Sequence, residues 1–222
     1  MNINVIKSKR KTCEIKVNAD GSVTIKAPNH YTNPMIKSII ETKADWIDQK
    51  LKWMSESEPP LCFELGSTLP VWYEAFTIEF SDRIDTYLDH AHKRIMINPK
   101  VKPEREAIKR EVIKLLRVVL RNHLVARVKV LSEELNVQPN EIRVKLMKSR
   151  WGSCSSRGNL NFSLNLVLLP KEIVDYIIIH ELAHLNELNH SSRFWRIVEK
   201  YHPRYVEDRK WLKMNTFNLN LN

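Results

Sequence analysis

The 222-residue chain reads as an α+β protein on three observations. Its first hundred residues are mostly short stretches in which apolar and polar side chains alternate, the period-two signature of half-buried strands. A single apolar stripe at three-to-four spacing then runs to about residue 135, the mark of one long amphipathic helix. Beyond it, a second helical stretch sets His180-Glu-Leu-Ala-His184 into an otherwise apolar run.

In chain order, Cys13, Ile15 and Val17 alternate with charged neighbours, Asn18-Ala-Asp-Gly21 offers a turn, and Val23, Ile25 and Ala27 resume the alternation. That is a β-hairpin with suitable turn chemistry. Pro34 opens a helix expected to reach about Met54 through Ile36, Ile39, Ile40, Ile47 and Leu51, with 56–60 ending it. Leu69 to Phe80 and Arg94 to Ile97 read as further strands. Pro99 to Pro103 is the expected domain boundary, giving a β-rich region with one helix over 1–100 and a second domain over 101–222.

The long helix is drawn by Ile108, Val112, Leu116, Leu120, Leu124, Val128, Leu131 and Leu135, and Pro139-Asn140 breaks it. Glu141 to Arg150 is expected as a strand, Trp151 to Asn159 as a turn-rich loop, and Leu160 to Leu168 as a returning strand, because every second residue is apolar. Pro170 starts the helix that carries the histidines. Ser191 is placed to cap another helix through Tyr201, a last one reaches Met214, and 216–222 are expected to fray.

Composition narrows the function classes. Nothing approaches the 18 apolar residues of a membrane span, and the N-terminus has charge following a short apolar patch, the reverse of a secretory signal. Cys13, Cys62 and Cys154 are odd in number and widely spaced, which points to a reducing cytoplasm rather than a disulfide framework. Of the net charge of +10, residues 100–150 hold 14 Lys and Arg against 6 Asp and Glu. Such a segment suits either nucleic acid or a solvated helix face, and the second needs no partner.

The chemistry lies in His180, Glu181 and His184. Helical residues four apart sit about 40° apart around the axis and about 6 Å along it, so both imidazoles aim at one point and Glu181 lies beside it. That pattern suits a zinc ion with a general-base carboxylate. An unbroken helix would carry His190 about 15 Å from His180, so it joins them only if the helix ends and the chain folds back. Asn186 and Asn189 tolerate the left-handed conformation expected for that ending. Glu187 stands where the longer H-E-x-x-H-x-x-G-x-x-H signature has glycine. A downstream carboxylate, Glu199 or Glu207, is the alternative third ligand. An apolar core helix with merely satisfied histidines is the plain alternative, but three buried imidazoles and a carboxylate would be costly there.

Arg150-Trp-Gly-Ser-Cys-Ser155, Leu160 to Pro170, His180-Glu-Leu-Ala-His184, Asn189-His-Ser-Ser-Arg-Phe-Trp195, Tyr201-His-Pro203 and Arg209-Lys-Trp-Leu212 together resemble the YgjP-like metallopeptidase family. That family is similar to SprT-like and WLM-type proteases. The resemblance implies a compact zincin-like domain built from a long helix, a small antiparallel sheet, the H-E-x-x-H helix and C-terminal helices. It also implies one zinc ion (Zn2+) per chain on His180, His184 and His190, with Glu181 as the base.

Trp151, Gly152 and Ser153 are candidate substrate-binding residues, since the strand beside them could be an edge on which an extended or unfolded polypeptide pairs. Gly152 is expected to permit a tight turn, and Cys154 is redundant as a nucleophile beside an activated water. Tyr201, His202 and Tyr205 are candidates for transition-state stabilisation. The expected activity is zinc-dependent peptide hydrolysis. The alternatives are a nucleic-acid-associated protein, a protease of DNA-bound proteins, and a hydrolase of a non-peptide substrate.

Overall fold

The computed structural model describes residues 2–18, 21–48, 51, 61–147, 149–215 and 219–221. The chain divides into two compact units, Met1–Pro59 and Pro60–Asn222.

In the first unit, β1 (Ile3–Ser8), β2 (Glu14–Val17) and β3 (Val23–Pro28) form a sheet of order β1-β3-β2. β2 and β3 are the expected antiparallel hairpin, whereas β1 runs parallel to β3. Ala19 and Asp20 of the expected turn lie outside the described residues. α1 (Asn33–Thr42) is capped by Thr32, whose hydroxyl accepts from the Met35 N–H. It stops at Thr42, and helical backbone resumes over 44–48. The expected continuation to Met54 and the stop at 56–60 fall outside the described residues. Val17, Val23, Ile25, Ala27, Ile36 and Ile47 make this unit's own core.

The second unit begins well before the expected boundary. β4 (Thr68–Val71), β5 (Glu74–Phe80), β6 (Tyr87–Asp89) and β7 (Arg94–Ile97) form a sheet of order β4-β5-β7-β6. Its buried Leu69, Val71, Phe76, Ile78, Ile95 and Ile97 share one core with Ile108, Val112 and Leu116 of α2 (Arg105–Leu135). The segment 99–103 is therefore a turn inside this unit, in which the Val101 N–H reaches the Asn98 carbonyl at 2.9 Å.

Leu69 to Phe80, expected as one strand, is two, folded at Trp72 and Tyr73. These residues have φ of 54° and 65°, a two-residue turn usually made by Asn-Gly. Aromatics tolerate that backbone poorly, and what holds them is tertiary. The Trp72 N–H donates to the Val167 carbonyl at 2.7 Å, its ring meets His123, and the Tyr73 ring meets Trp211 edge-on.

α2 ends at Asn136, whose left-handed φ of 52° closes the helix. β8 (Glu141–Lys145), β9 (Gly152–Cys154) and β10 (Asn159–Ser163) form a third sheet of order β8-β10-β9. It is mixed rather than antiparallel, because β8 runs parallel to β10 while β9 runs antiparallel.

The expected strand stops at Ser163, and Leu164–Leu168 is a 3₁₀ turn. All five of its residues are buried, so the alternation of leucines had no exposed face to report. Asn165 inside this turn is held by the chain's last described residues. It donates to the Asn220 side chain at 3.3 Å and accepts the Leu221 N–H at 3.0 Å. Leu221 is fully buried, so 219–221 are packed rather than frayed; residues 216–218 and 222 lie outside the described residues.

α3 (Lys171–Ala183) follows, then α4 (Ser192–Tyr201), capped by the Ser191 hydroxyl as expected, and α5 (Tyr205–Asn215). Arg127 of α2 grips Asp175 of α3 through two bonds of 2.9 and 2.7 Å, which fixes α3 against the long helix. No helix of the described residues is long and apolar enough to cross a membrane.

Candidate metal centre

α3 is apolar along its buried side, with Ile173, Val174, Ile177, Ile178, Ile179, Leu182 and Ala183 enclosed. Its last turn brings His180 and His184 to one side, as four-residue spacing requires. The helix stops there, and the reversal needs no left-handed residue. The Asn186 and Glu187 N–H groups both reach back to the Ala183 carbonyl, at 3.1 and 3.0 Å. Neither Asn186 nor Asn189 has positive φ, so the expected asparagine-built ending is not what forms. Glu187 fits where the longer signature has glycine for the same reason. Asn189 acts locally instead, its Oδ1 accepting the Ser191 N–H at 2.9 Å.

The reversal returns His190 to the helix end, with its Nε2 3.1 Å from Nε2 of His180. One ligand nitrogen from each of His180, His184 and His190 lies within 4.8 Å of the others. These side chains suit a divalent metal. The His184 Nδ1 lies 3.1 Å from the Glu187 carbonyl, a contact that puts its proton there and leaves the Nε2 lone pair free. His180 is held neutral, its pKa pushed down to about 3 by burial and then by the imidazoles of His184 and His190. Burial likewise lowers His190, with His184 and Arg209 adding to it. Neutral, converging imidazoles are what a zinc-type ion binds. Glu207 instead pairs with Arg204 at 2.9 Å, and Glu199 is exposed on α4.

Glu181 is 5% exposed. Burial raises its pKa to about 8 against the opposing charge of Arg150, and its Oε2 has no hydrogen-bond partner. Its carboxyl end lies against Gly152. A Cβ there would sit 2.5 Å from Oε1 and 2.7 Å from Cγ, closer than atoms approach. Gly152 is therefore glycine to leave room for this carboxylate, not to make a tight turn.

Gly152 belongs to β9, the edge of its sheet. The Ser163 N–H donates to the Trp151 carbonyl and the Ser155 N–H to the Asn159 carbonyl. Antiparallel alternation thus turns residues 151, 153 and 155 inward to β10, and points the N–H and C=O of Gly152 and Cys154 out at the free edge. Of the other loop residues, Trp151 packs on the core and the Ser153 hydroxyl takes a bond from Asn161 at 3.3 Å. Burial, reinforced by Glu181, pushes the Cys154 thiol up to about 11, so it offers no thiolate at neutral pH.

The three transition-state candidates separate. His202 pairs with buried Asp208 at 2.5 Å and tilts against Tyr176, which also meets His180 edge-on. Tyr205 stacks on Trp195, which in turn stacks on His190. The Tyr201 ring takes Lys200 and makes no ring contact with the histidines among the described residues.

The aromatic floor was not singled out residue by residue in the sequence. Phe194 is fully buried with its ring centre 4.9, 4.5 and 4.8 Å from those of His180, His184 and His190. The signal for it was the Phe194-Trp195 pair one helical turn after His190.

Three imidazoles closing on one point beside a buried carboxylate form a set of side chains that could hold a metal ion. The model of the YgjP-like family, metallopeptidase domain, matches residues 11–215, and the chain belongs to that family. No curated protein matches it. Two solved structures are similar over part of the chain. One is the metallopeptidase zymogen abylysin of Pyrococcus abyssi, 30% identical with a TM-score of 0.38, covering 40% of this chain and 92% of that one. The other is the metallopeptidase zymogen jannalysin of Methanocaldococcus jannaschii, 27% identical with a TM-score of 0.36, covering 41% and 92%.

Proposed function

We propose that the protein is a zinc-dependent peptidase acting on extended or unfolded polypeptide, with His180, His184 and His190 as ligands and Glu181 as general base. The observation that carries this reading is the convergence of three imidazole nitrogens within 4.8 Å, next to a buried carboxylate. A zinc ion, when bound, supplies a Lewis acid that polarises a carbonyl and acidifies water.

Glu181 takes a proton from the attacking water and returns it to the leaving amine. Burial that lifts its pKa to about 8 keeps both transfers accessible near neutral pH. The outward N–H and C=O groups of Gly152 and Cys154 accept the substrate as an added strand, which favours a chain free of its own structure. In this reading His202, oriented by Asp208, and Tyr205, stacked on Trp195, steady charge developing on the carbonyl oxygen, ahead of Tyr201.

Metal analysis and proteolysis test this together. Wild type should hold one zinc, lose it in His180→Ala, His184→Ala and His190→Ala, and keep it in Glu199→Ala and Glu207→Ala. Glu181→Gln should keep zinc and fold while cleavage of a casein-like substrate drops about 10²–10⁴-fold. Equal cleavage by wild type and Glu181→Gln would refute Glu181 as base. Zinc retained in His190→Ala would refute the ligand set.

A further inference from the structure

Trp195 stacks on His190 with ring centres 5.7 Å apart and planes 24° from parallel, and it stacks on Tyr205 at 5.3 Å and 22°. One turn along α5 from Tyr205, Arg209 lays its guanidinium over the same indole, 5.1 Å from the ring centre. Arg209 is exposed. The carboxylates next to it in the chain are taken, Asp208 by His202 and Glu207 by Arg204. Among the described residues no carboxylate pairs with Arg209.

We propose that Arg209, held over Trp195 beside His190, is a substrate-specificity residue that receives a carboxylate of the polypeptide, either its C-terminal group or an Asp or Glu side chain. The inference rests on the peptidase reading. A guanidinium held over an indole has already given up part of its motion and some of its water, while its fork of N–H donors can still pair with a ligand. A carboxylate matches that fork with two parallel charge-assisted bonds, which a carboxamide cannot reproduce. An arginine serving only to cover Trp195 would use its aliphatic stem and favour no charge on the substrate.

Three synthetic peptides separate these roles: a neutral peptide with an amidated C-terminus, the same peptide with a free C-terminus, and an amidated version with one internal Gln replaced by Glu. KM and kcat are measured with zinc-loaded wild type, Arg209→Gln and Arg209→Lys. Binding is measured by calorimetry with zinc-loaded Glu181→Gln and with Glu181→Gln carrying Arg209→Gln. At least one carboxylate peptide should show KM and Kd about tenfold below the neutral one, with kcat little changed. The free-terminus and internal-Glu arms identify which source of carboxylate is read. Arg209→Gln should bring the ratio to about one, and Arg209→Lys should keep part of it because it retains charge without the fork.

Indifference of wild type to both carboxylates, an equal loss on all three peptides in Arg209→Gln, or no binding at all would overturn the proposal. Arg209-dependent binding of the acidic peptides without cleavage of any would instead leave this inference standing and remove the peptidase reading.

Discussion

The third sheet has two edges, and they are treated in opposite ways. On β8 the carbonyls of Ile142 and Val144 face outward, and α2 closes them. Arg117 Nη1 donates to the Val144 carbonyl at 2.7 Å and Arg121 Nη1 to the Ile142 carbonyl at 3.5 Å. On β9 no further strand among the described residues pairs the outward groups of Gly152 and Cys154, and Glu181 lies directly against that strand. An uncovered edge is a template for unwanted pairing, so a fold that stoppers one edge and exposes the other has localised its stickiness. The comparison also gives part of the basic 100–150 segment an internal use: Arg117 and Arg121 are sheet-edge donors and Arg127 anchors α3.

The largest expected contrast is in stability with pH. At the open edge, folding buries a carboxyl whose pKa rises from 4.5 to about 8. The folded chain therefore keeps a proton that the unfolded chain releases, and stability falls as pH climbs through that window, at up to about 1.4 kcal/mol per unit. Chelator-treated wild type should lose Tm relative to Glu181→Gln between pH 5 and 8 (roughly the window set by those two values), with the gap closing at the acid end. Parallel curves would refute the buried, uncharged carboxyl.

Next in size is Gly152→Ala. Its Cβ would displace the Glu181 carboxylate, and a shift of about 1 Å at a catalytic group costs about 10²-fold in rate. Peptidase assay with zinc quantitation separates this loss from loss of the metal.

The closed edge should respond differently. Arg117→Ala removes a charge-assisted bond to a strand carbonyl, so denaturant unfolding should show a loss of about 1.5 kcal/mol. Cleavage per folded molecule should hold, and light scattering should report new self-association through β8. Arg121→Ala, at the longer and more exposed contact, should change stability by less than about 0.5 kcal/mol.

Local repetition was the legible part. The α2 stripe, the β2–β3 hairpin and the four-residue spacing of His180 and His184 each follow from a period that side chains obey within one element. Where two readings shared a period, burial decided: Leu164, Leu166 and Leu168 alternate as a strand would, yet the segment is enclosed on all sides and turns as a 3₁₀ helix. Where tertiary contacts override local preference, the sequence pointed the wrong way. Trp72 and Tyr73 favour strands, but Val167, His123 and Trp211 hold them in a left-handed turn.

That the loop itself supplies the edge strand β9 was illegible for a related reason. It depends on β10 pairing with β8 on its other side, a choice made between residues some twenty positions apart. The end of α3 was misread because an asparagine-rich stretch suggests left-handed backbone, while an ordinary turn from Ala183 suffices.

Phe194 carries a consequence for how the ion and the fold depend on each other. Its ring touches all three imidazoles and is itself locked in the core, so the spacing of the ligands is inherited from apolar packing. In small zinc modules the ion gathers the chain, and removing it unfolds them. Here the seat is set by hydrocarbon, and metal exchange and melting become separate events. On the proposed ligand set, trading one divalent ion for another of similar size should leave the melting curve of the protein around it unchanged.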